Sequence, residues 1–115
     1  MSRRHTDYQL DVLEVLWRTG LEGSAWALLR ETHAGARPVV IEMLGTREDA
    51  EVRFVFEDDH GIRAEYRQRV SQAPPPHLVN TASAAQIHAL DIAEDAMQIL
   101  ATRLVAAARR RGDPT

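Results

Sequence analysis

Apolar and polar side chains alternate in three successive runs between Arg37 and Val70: RPVVIEML, EVRFVF and IRAEYRQRV, separated by short polar loops. Successive side chains of a β-strand point to opposite faces, so a period of two predicts strands rather than helices. Loops this short join strands that run in opposite directions. We therefore predict a three-stranded antiparallel meander over residues 37–70.

The lengths of the two loops predict the register of this meander. A three-residue loop, Asp59 to Gly61, places a glycine where such loops adopt a left-handed conformation, and a four-residue loop runs from Thr46 to Asp49. The predicted opposed pairs are Asp58 with Ile62, Phe56 with Ala64, Phe54 with Tyr66, Ile41 with Phe54, Val39 with Phe56, Glu42 with Arg53, Glu57 with Arg63, and Glu51 with Arg69. Charges of alternating sign then cover the outer face, which favours a solvated surface over a basic nucleic-acid platform.

Three apolar residues interrupt this charged outer face. The same alternation places Val40, Leu44 and Val55 on it. A fully solvated face has no need of three neighbouring apolar side chains, so we expect part of it to be covered by a partner or by another element of the chain.

Two short helices are predicted before the meander. Thr6 and Gln9 have the spacing of a capping box, and apolar residues at helical spacing follow, which predicts a helix over residues 7–19. The stretch GLEGS breaks that helix. Ser24 then caps a second one over residues 24–34, with Gly35 suited to its left-handed C-terminal position.

A proline-rich connector, residues 71–80, leads from the meander to a long last helix over residues 81–110, with a tail at 111–115. The last helix carries an apolar seam and a second apolar stripe beside it, so it requires contact on two sides. We take part of the second stripe as a possible interaction surface together with the outer sheet face: Ile92, Ala96 and Ile99.

These elements predict one α+β domain over residues 1–115, in the order ααβββα, with the last helix packed on the sheet. A chain of 115 residues is long enough for one hydrophobic core. The surplus apolar surface favours a symmetric homodimer, because a self-complementary patch closes as a two-fold pair, and another protein is the alternative partner.

The composition excludes several kinds of chemistry. The chain has no cysteine and no lysine, and all fourteen basic residues are arginine. This removes disulfides, thiolate nucleophiles, cysteine zinc sites, Schiff-base lysines and the P-loop lysine. The arginine bias is typical of a GC-rich bacterial genome. With a net charge of −3 and no long apolar run, we expect a cytoplasmic protein that binds neither nucleic acid nor membrane.

Five polar residues are candidates for a site, and for four of them we favour a structural alternative. His60, after two aspartates, fits a turn better than a metal site, and Glu42 fits an ion pair with Arg53 better than a catalytic base. His88 and Asp91 share the polar side of the last helix with Asp95, which favours a solvated strip over acid–base chemistry. Tyr66 is a polar group that a pocket between sheet and helices would use. We predict no catalytic residue, metal ligand or cofactor.

Two hypotheses for function remain. The first is a small non-catalytic protein-interaction, adaptor or chaperone-like module that uses the apolar patch. The second is a small-molecule-binding protein or enzyme, with Glu42, Tyr66 or His88 as the polar groups of a pocket whose ligand is unknown. A pocket in which polar groups converge would favour the second hypothesis.

Overall fold

The structure is a computed structural model that describes residues 4–22, 29, 35–79 and 83–111. Helix α1 spans Asp7–Glu22, strands β1, β2 and β3 span Arg37–Leu44, Glu51–Glu57 and Arg63–Arg69, a 3-10 turn spans Pro76–Leu78, and helix α2 spans Ala84–Arg110. The three strands form an antiparallel sheet in the order β1-β2-β3. The predicted α+β class, the meander and the long last helix are confirmed.

The N-terminal region differs from the prediction. The described residues contain one helix before the sheet, and it ends at Glu22 rather than Thr19. Gly20 has low helix propensity, but that cost of about 1 kcal/mol does not by itself end a helix. The second helix, predicted over 24–34, lies outside the described residues except for Leu29, which is buried in the core.

The register between β2 and β3 is the predicted one throughout, including Phe54 opposite Tyr66. The first hairpin is also correct at Ile41 and Glu42, but Val39 does not lie opposite Phe56. Pro38 takes that place, and the register shifts by a bulge between Pro38 and Val40. Proline has no amide hydrogen to donate to the ladder, and an edge strand such as β1 tolerates a bulge beside it.

Both helices lie on one face of the sheet, where α1 packs against β1, α2 packs against β3, and the two helices contact each other. Aromatic side chains of the central strand and aliphatic side chains of both helices form the core. Its largest fully buried members include Leu16, Leu29, Phe54, Phe56, Ile92, Leu100 and Leu104.

Helix α2 uses its two apolar stripes differently from the prediction. Ile92 and Ala96, which we had placed on an interaction surface, are both 0% exposed and belong to the core, whereas Ile99 is 38% exposed. The buried side of α2 includes residues of both apolar stripes, because this helix contacts α1 on one side and β3 on the other. Of these three residues, Ile99 alone remains available to a partner.

Gly45, which follows β1, should not tolerate a side chain. Its φ is +78°, and a Cβ there would lie 2.9 Å from the backbone oxygen of Asp49. Gly61 has a similar φ of +76° with no atom within 4 Å of the same position. We expect Gly61→Ala to lower the free energy of unfolding by about 1 kcal/mol, from the left-handed backbone alone, and Gly45→Ala by about 2–3 kcal/mol.

Urea denaturation of the two glycine variants beside wild type measures this difference, since both substitutions add the same methyl group at similar φ. Equal losses of unfolding free energy in the two variants would show that the Thr46–Asp49 loop moves to accommodate the added methyl group at no energetic cost.

Candidate functional site

A cleft of about 460 Å³ lies at the end of the sheet where β3 leaves it. Four parts of the chain form it: the loop between β1 and β2, the last residue of β3, the connector that follows β3, and the second turn of α2. Its lining residues are Arg47, Glu48, Ala50, Arg69, Val70, Ser71, Gln72, Pro75 and His88. The volume falls within the range of pockets that hold small molecules.

Gln9 of α1 fixes two walls of this cleft. Its side chain is fully buried. The amide nitrogen Nε2 donates to the backbone oxygens of Arg47 and Val70, each at 3.0 Å. Buried carbonyl groups need such partners, because leaving one unpaired costs about 1–3 kcal/mol. The loop and the end of β3 are therefore held in place by one side chain.

The N-terminus of α1 adds further ties to the same region. The predicted capping box is present: the Thr6 amide donates to Gln9 Oε1 at 2.9 Å, and the Gln9 amide donates to Thr6 Oγ1 at 3.2 Å. The Thr6 hydroxyl also donates to the Gln72 backbone oxygen at 2.8 Å. His5 Nε2 bonds the Gly45 backbone oxygen at 2.9 Å. These contacts tie the N-terminus of α1 to the loop after β1 and to the connector after β3.

His88 lines the cleft and is paired with Tyr8 of α1. The two rings stack with centroids 5.8 Å apart, and the Tyr8 hydroxyl forms a short hydrogen bond with His88 Nδ1. Burial lowers the pKa of His88 below 6.5; nearby Asp91 opposes this shift and His77 adds to it. Burial also raises the pKa of Tyr8 above 10.0.

Both rings of this pair are consequently neutral at pH 7. We assign the Tyr8 hydroxyl as donor to Nδ1, which places the His88 proton on Nε2. In that assignment Nε2 is the donor atom of the His88 ring.

Charged side chains of both signs line the cleft. Arg47 and Arg69 line it against one acid, Glu48, while the whole chain carries −3. Arg69 Nη2 donates to the Glu48 backbone oxygen at 3.4 Å. Asp49, beside the cleft, accepts from the Thr46 amide and hydroxyl, each at 2.9 Å. Those hydrogen bonds, with a smaller contribution from Arg69, lower the pKa of Asp49.

The three predicted pocket groups do not come together. Glu42 lies on the outer face, where Arg53 Nη1 donates to it at 3.0 Å. The Tyr66 hydroxyl donates to Gln68 Oε1 at 2.7 Å, and the Arg103 guanidinium lies 5.9 Å from the Tyr66 ring centroid. Burial, with a smaller contribution from Asp95, raises the pKa of Tyr66. Of the three groups, only His88 lines the cleft.

His60 lies in a turn. The buried carboxylate of Asp58 accepts from the amides of His60 and Ile62, at 2.9 and 3.0 Å, and so closes the turn. Asp91 is exposed on α2. Within the described part of the chain, no group of three or more histidines and acids is arranged to hold a metal ion.

Exposed apolar residues occur on both helices. Trp17 of α1 is 38% exposed, and Leu10 on the same helix is also exposed. On the outer sheet face Val40 and Leu44 are half-buried. Val55 is only 7% exposed, because it lies between Val40 and Glu65 in the register.

The sequence around each residue that builds this cleft gives little indication that these residues meet. Gln9 was visible as part of a capping box, but its amide group reaches carbonyls 38 and 61 residues away in the sequence. Arg47, Arg69 and Tyr8 belong to no motif, and only the fold assembles them.

Comparison of the chain with protein-family models, with curated proteins and with solved structures finds no match. Neither α1 nor α2, the helices in the described residues, has the length and apolar character needed to cross a membrane.

Proposed function

We propose that this chain is a small-molecule-binding protein and that the cleft at the end of β3 is its binding site. The observation that carries the proposal is the buried Gln9 side chain, which ties both walls of a ligand-sized cleft to α1. Walls that are already held in place lose little conformational freedom when a ligand binds, and this favours affinity.

We further propose that the site binds without catalysis. Ser71 donates its hydroxyl to the Ala73 backbone oxygen at 2.7 Å, and His88 Nδ1 bonds Tyr8. These two cleft residues are therefore not arranged as a nucleophile and its base, which need a direct hydrogen bond to each other.

A fragment library of small polar molecules, screened by amide chemical shifts in NMR, tests the proposal. We expect binding fragments to shift the amides of the loop between β1 and β2, the start of the connector, and His88. Ser71→Trp fills the cleft and should abolish these shifts. Ser83→Trp is the matched control, because Ser83 is also an exposed serine and does not line the cleft.

Fragments that bind elsewhere, or a Ser71→Trp variant that binds them as well as wild type, would contradict the proposal. The thermal midpoint of each variant shows whether the added tryptophan has disturbed the fold.

A second candidate function is a protein-interaction module, of adaptor or chaperone-like type, in a bacterial cytoplasm. The observation in its favour is the exposure of Leu10 and Trp17 on α1 and of Ile99 on α2. Large apolar side chains that remain exposed are typical of contact surfaces. A second copy of the chain, forming a two-fold homodimer, is the partner that we propose for this surface.

A further inference from the structure

We infer that the contact between Tyr8 and His88 is a proton-sensitive latch, which is closed while the His88 ring is neutral and opens when that ring takes up a proton. The inference concerns regulation of the cleft, and its effect on ligand binding rests on the proposed function. Tyr8 is the second residue of α1, and His88 lies in the second turn of α2. The latch therefore joins the start of α1 to the first half of α2.

The latch consists of a hydrogen bond between two stacked rings. The ring centroids lie 5.8 Å apart with 22° between the planes, and the Tyr8 hydroxyl is bonded to Nδ1 of His88. A neutral imidazole has one acceptor nitrogen, whereas a protonated imidazole has two donor nitrogens and no acceptor. With the hydroxyl as donor, proton uptake at Nδ1 removes the acceptor on which this hydrogen bond depends.

The surroundings of His88 favour its neutral form. The ring is half-buried, and burial lowers the pKa of His88 below 6.5; Asp91, one turn along α2, opposes this shift, and His77 of the 3-10 turn adds to it. The charged residues that line the same cleft are Arg47, Glu48 and Arg69.

The direction of the pH effect follows from this pKa. Because the pKa of His88 is lower in the closed latch than in an exposed ring, proton uptake shifts the equilibrium toward the open arrangement. The closed latch is therefore fully favoured above about pH 6.5 and loses this advantage as the pH falls through the pKa of His88.

The latch acts on the cleft through the residue next to Tyr8. Gln9 Nε2 donates to the backbone oxygens of Arg47 and Val70, each at 3.0 Å. Both hydrogen bonds require the first turn of α1 to lie against the cleft walls. Release of Tyr8 from α2 allows this turn to move, so the walls become less ordered as the pH falls.

Tyr8→Phe tests the direction of the hydrogen bond. The substitution keeps the ring, which packs against the core, and removes only the hydroxyl. Nitrogen chemical shifts of the His88 ring report its titration. We expect the midpoint to rise by about 0.5–1 pH unit, because a hydrogen bond donated to the neutral form lowers a pKa.

Tyr66→Phe is the matched control, because the Tyr66 hydroxyl donates to Gln68 and its loss should leave the midpoint of His88 unchanged. A Tyr8 hydroxyl that accepted from Nδ1–H would instead stabilise the charged ring. Its removal would then lower the midpoint or leave it unchanged. Either result overturns the inference, and the proposed function stands.

His88→Gln tests whether the cleft walls respond to this ring. In wild type, the amide shifts of Gln9, Arg47 and Val70 should change between pH 8 and pH 5 with the midpoint of the His88 ring. Glutamine does not titrate, so these changes should be lost in the variant, which retains the other histidines. Wall amides that titrate as in wild type would assign the response to another group and overturn the inference.

Ligand binding connects the latch to the proposed function. A non-titrating fragment that binds in the cleft at pH 8 should bind wild type at least about fivefold more weakly at pH 5, a coupling at the lower end of the usual range. It should bind His88→Gln equally at both pH values. Equal binding to wild type at both pH values overturns the inference. If no fragment binds at either pH, the proposed function fails, and the ring and amide titrations decide the latch by themselves.

Discussion

Ile92→Glu is expected to unfold this protein, whereas Ile99→Glu, on the same helix, is expected to leave it folded. Ile92 is 0% exposed in the core and Ile99 is 38% exposed. Transfer of a carboxylate into an apolar core costs several kcal/mol even after local relaxation. The total stability of a small domain is about 5–15 kcal/mol, so one such substitution removes most or all of it.

Circular dichroism and solution mass, measured over a concentration series, distinguish the two variants. Ile99→Glu should keep the helical signal and a cooperative thermal transition. A folded Ile92→Glu variant would contradict the burial of Ile92 in the core.

The same concentration series tests the second candidate function. A dimeric wild type that becomes monomeric with Ile99→Glu would support an interaction surface on α2. A monomeric wild type would argue against the homodimer.

Gln9→Leu is expected to lower the free energy of unfolding by about 3 kcal/mol, although leucine is apolar and similar in size. The substitution removes both Nε2 donors, which leaves the Arg47 and Val70 carbonyls without that partner, and it removes the acceptor for the Thr6 amide. The bond to the Val70 carbonyl is buried, and leaving a buried carbonyl unpaired costs about 1–3 kcal/mol; loss of the bond to Arg47 and of the capping interaction adds to this.

Urea denaturation measures this loss, with Gln98→Leu as the matched control because Gln98 is an exposed glutamine in the interior of α2. Gln9→Glu is a second informative variant, since it keeps an acceptor for Thr6 but replaces the two donors by a carboxylate facing two carbonyl oxygens. We expect Gln9→Glu to be at least as unstable as Gln9→Leu. Stability close to wild type in both variants would show that Gln9 does not hold the cleft walls.

The effect of Gln9 on ligand binding follows from the same geometry. If its hydrogen bonds preorganise the cleft, then a Gln9→Leu variant that still folds should bind any cleft ligand more weakly, without change in the charge of the site.

Much of the fold could be predicted because interactions between residues close in sequence determine it. Alternation of apolar side chains predicted three strands, and loop lengths with Gly61 in a left-handed conformation predicted the pairing of Phe54 with Tyr66. The Thr6–Gln9 capping box was also correct. In each case the residues that interact are close in sequence or are joined by a short turn, so their geometry depends on few other contacts.

The remaining features depend on contacts between distant segments. The pattern of α2 showed two apolar stripes, but only packing against both α1 and β3 decided that Ile92 is core and Ile99 is surface. The bulge beside Pro38 arose where an edge strand had freedom to shift. The cleft required the tertiary structure most of all, because Gln9, Arg47, Arg69 and His88 come from four separate elements, and side chains far apart in sequence leave no periodic signal of their meeting.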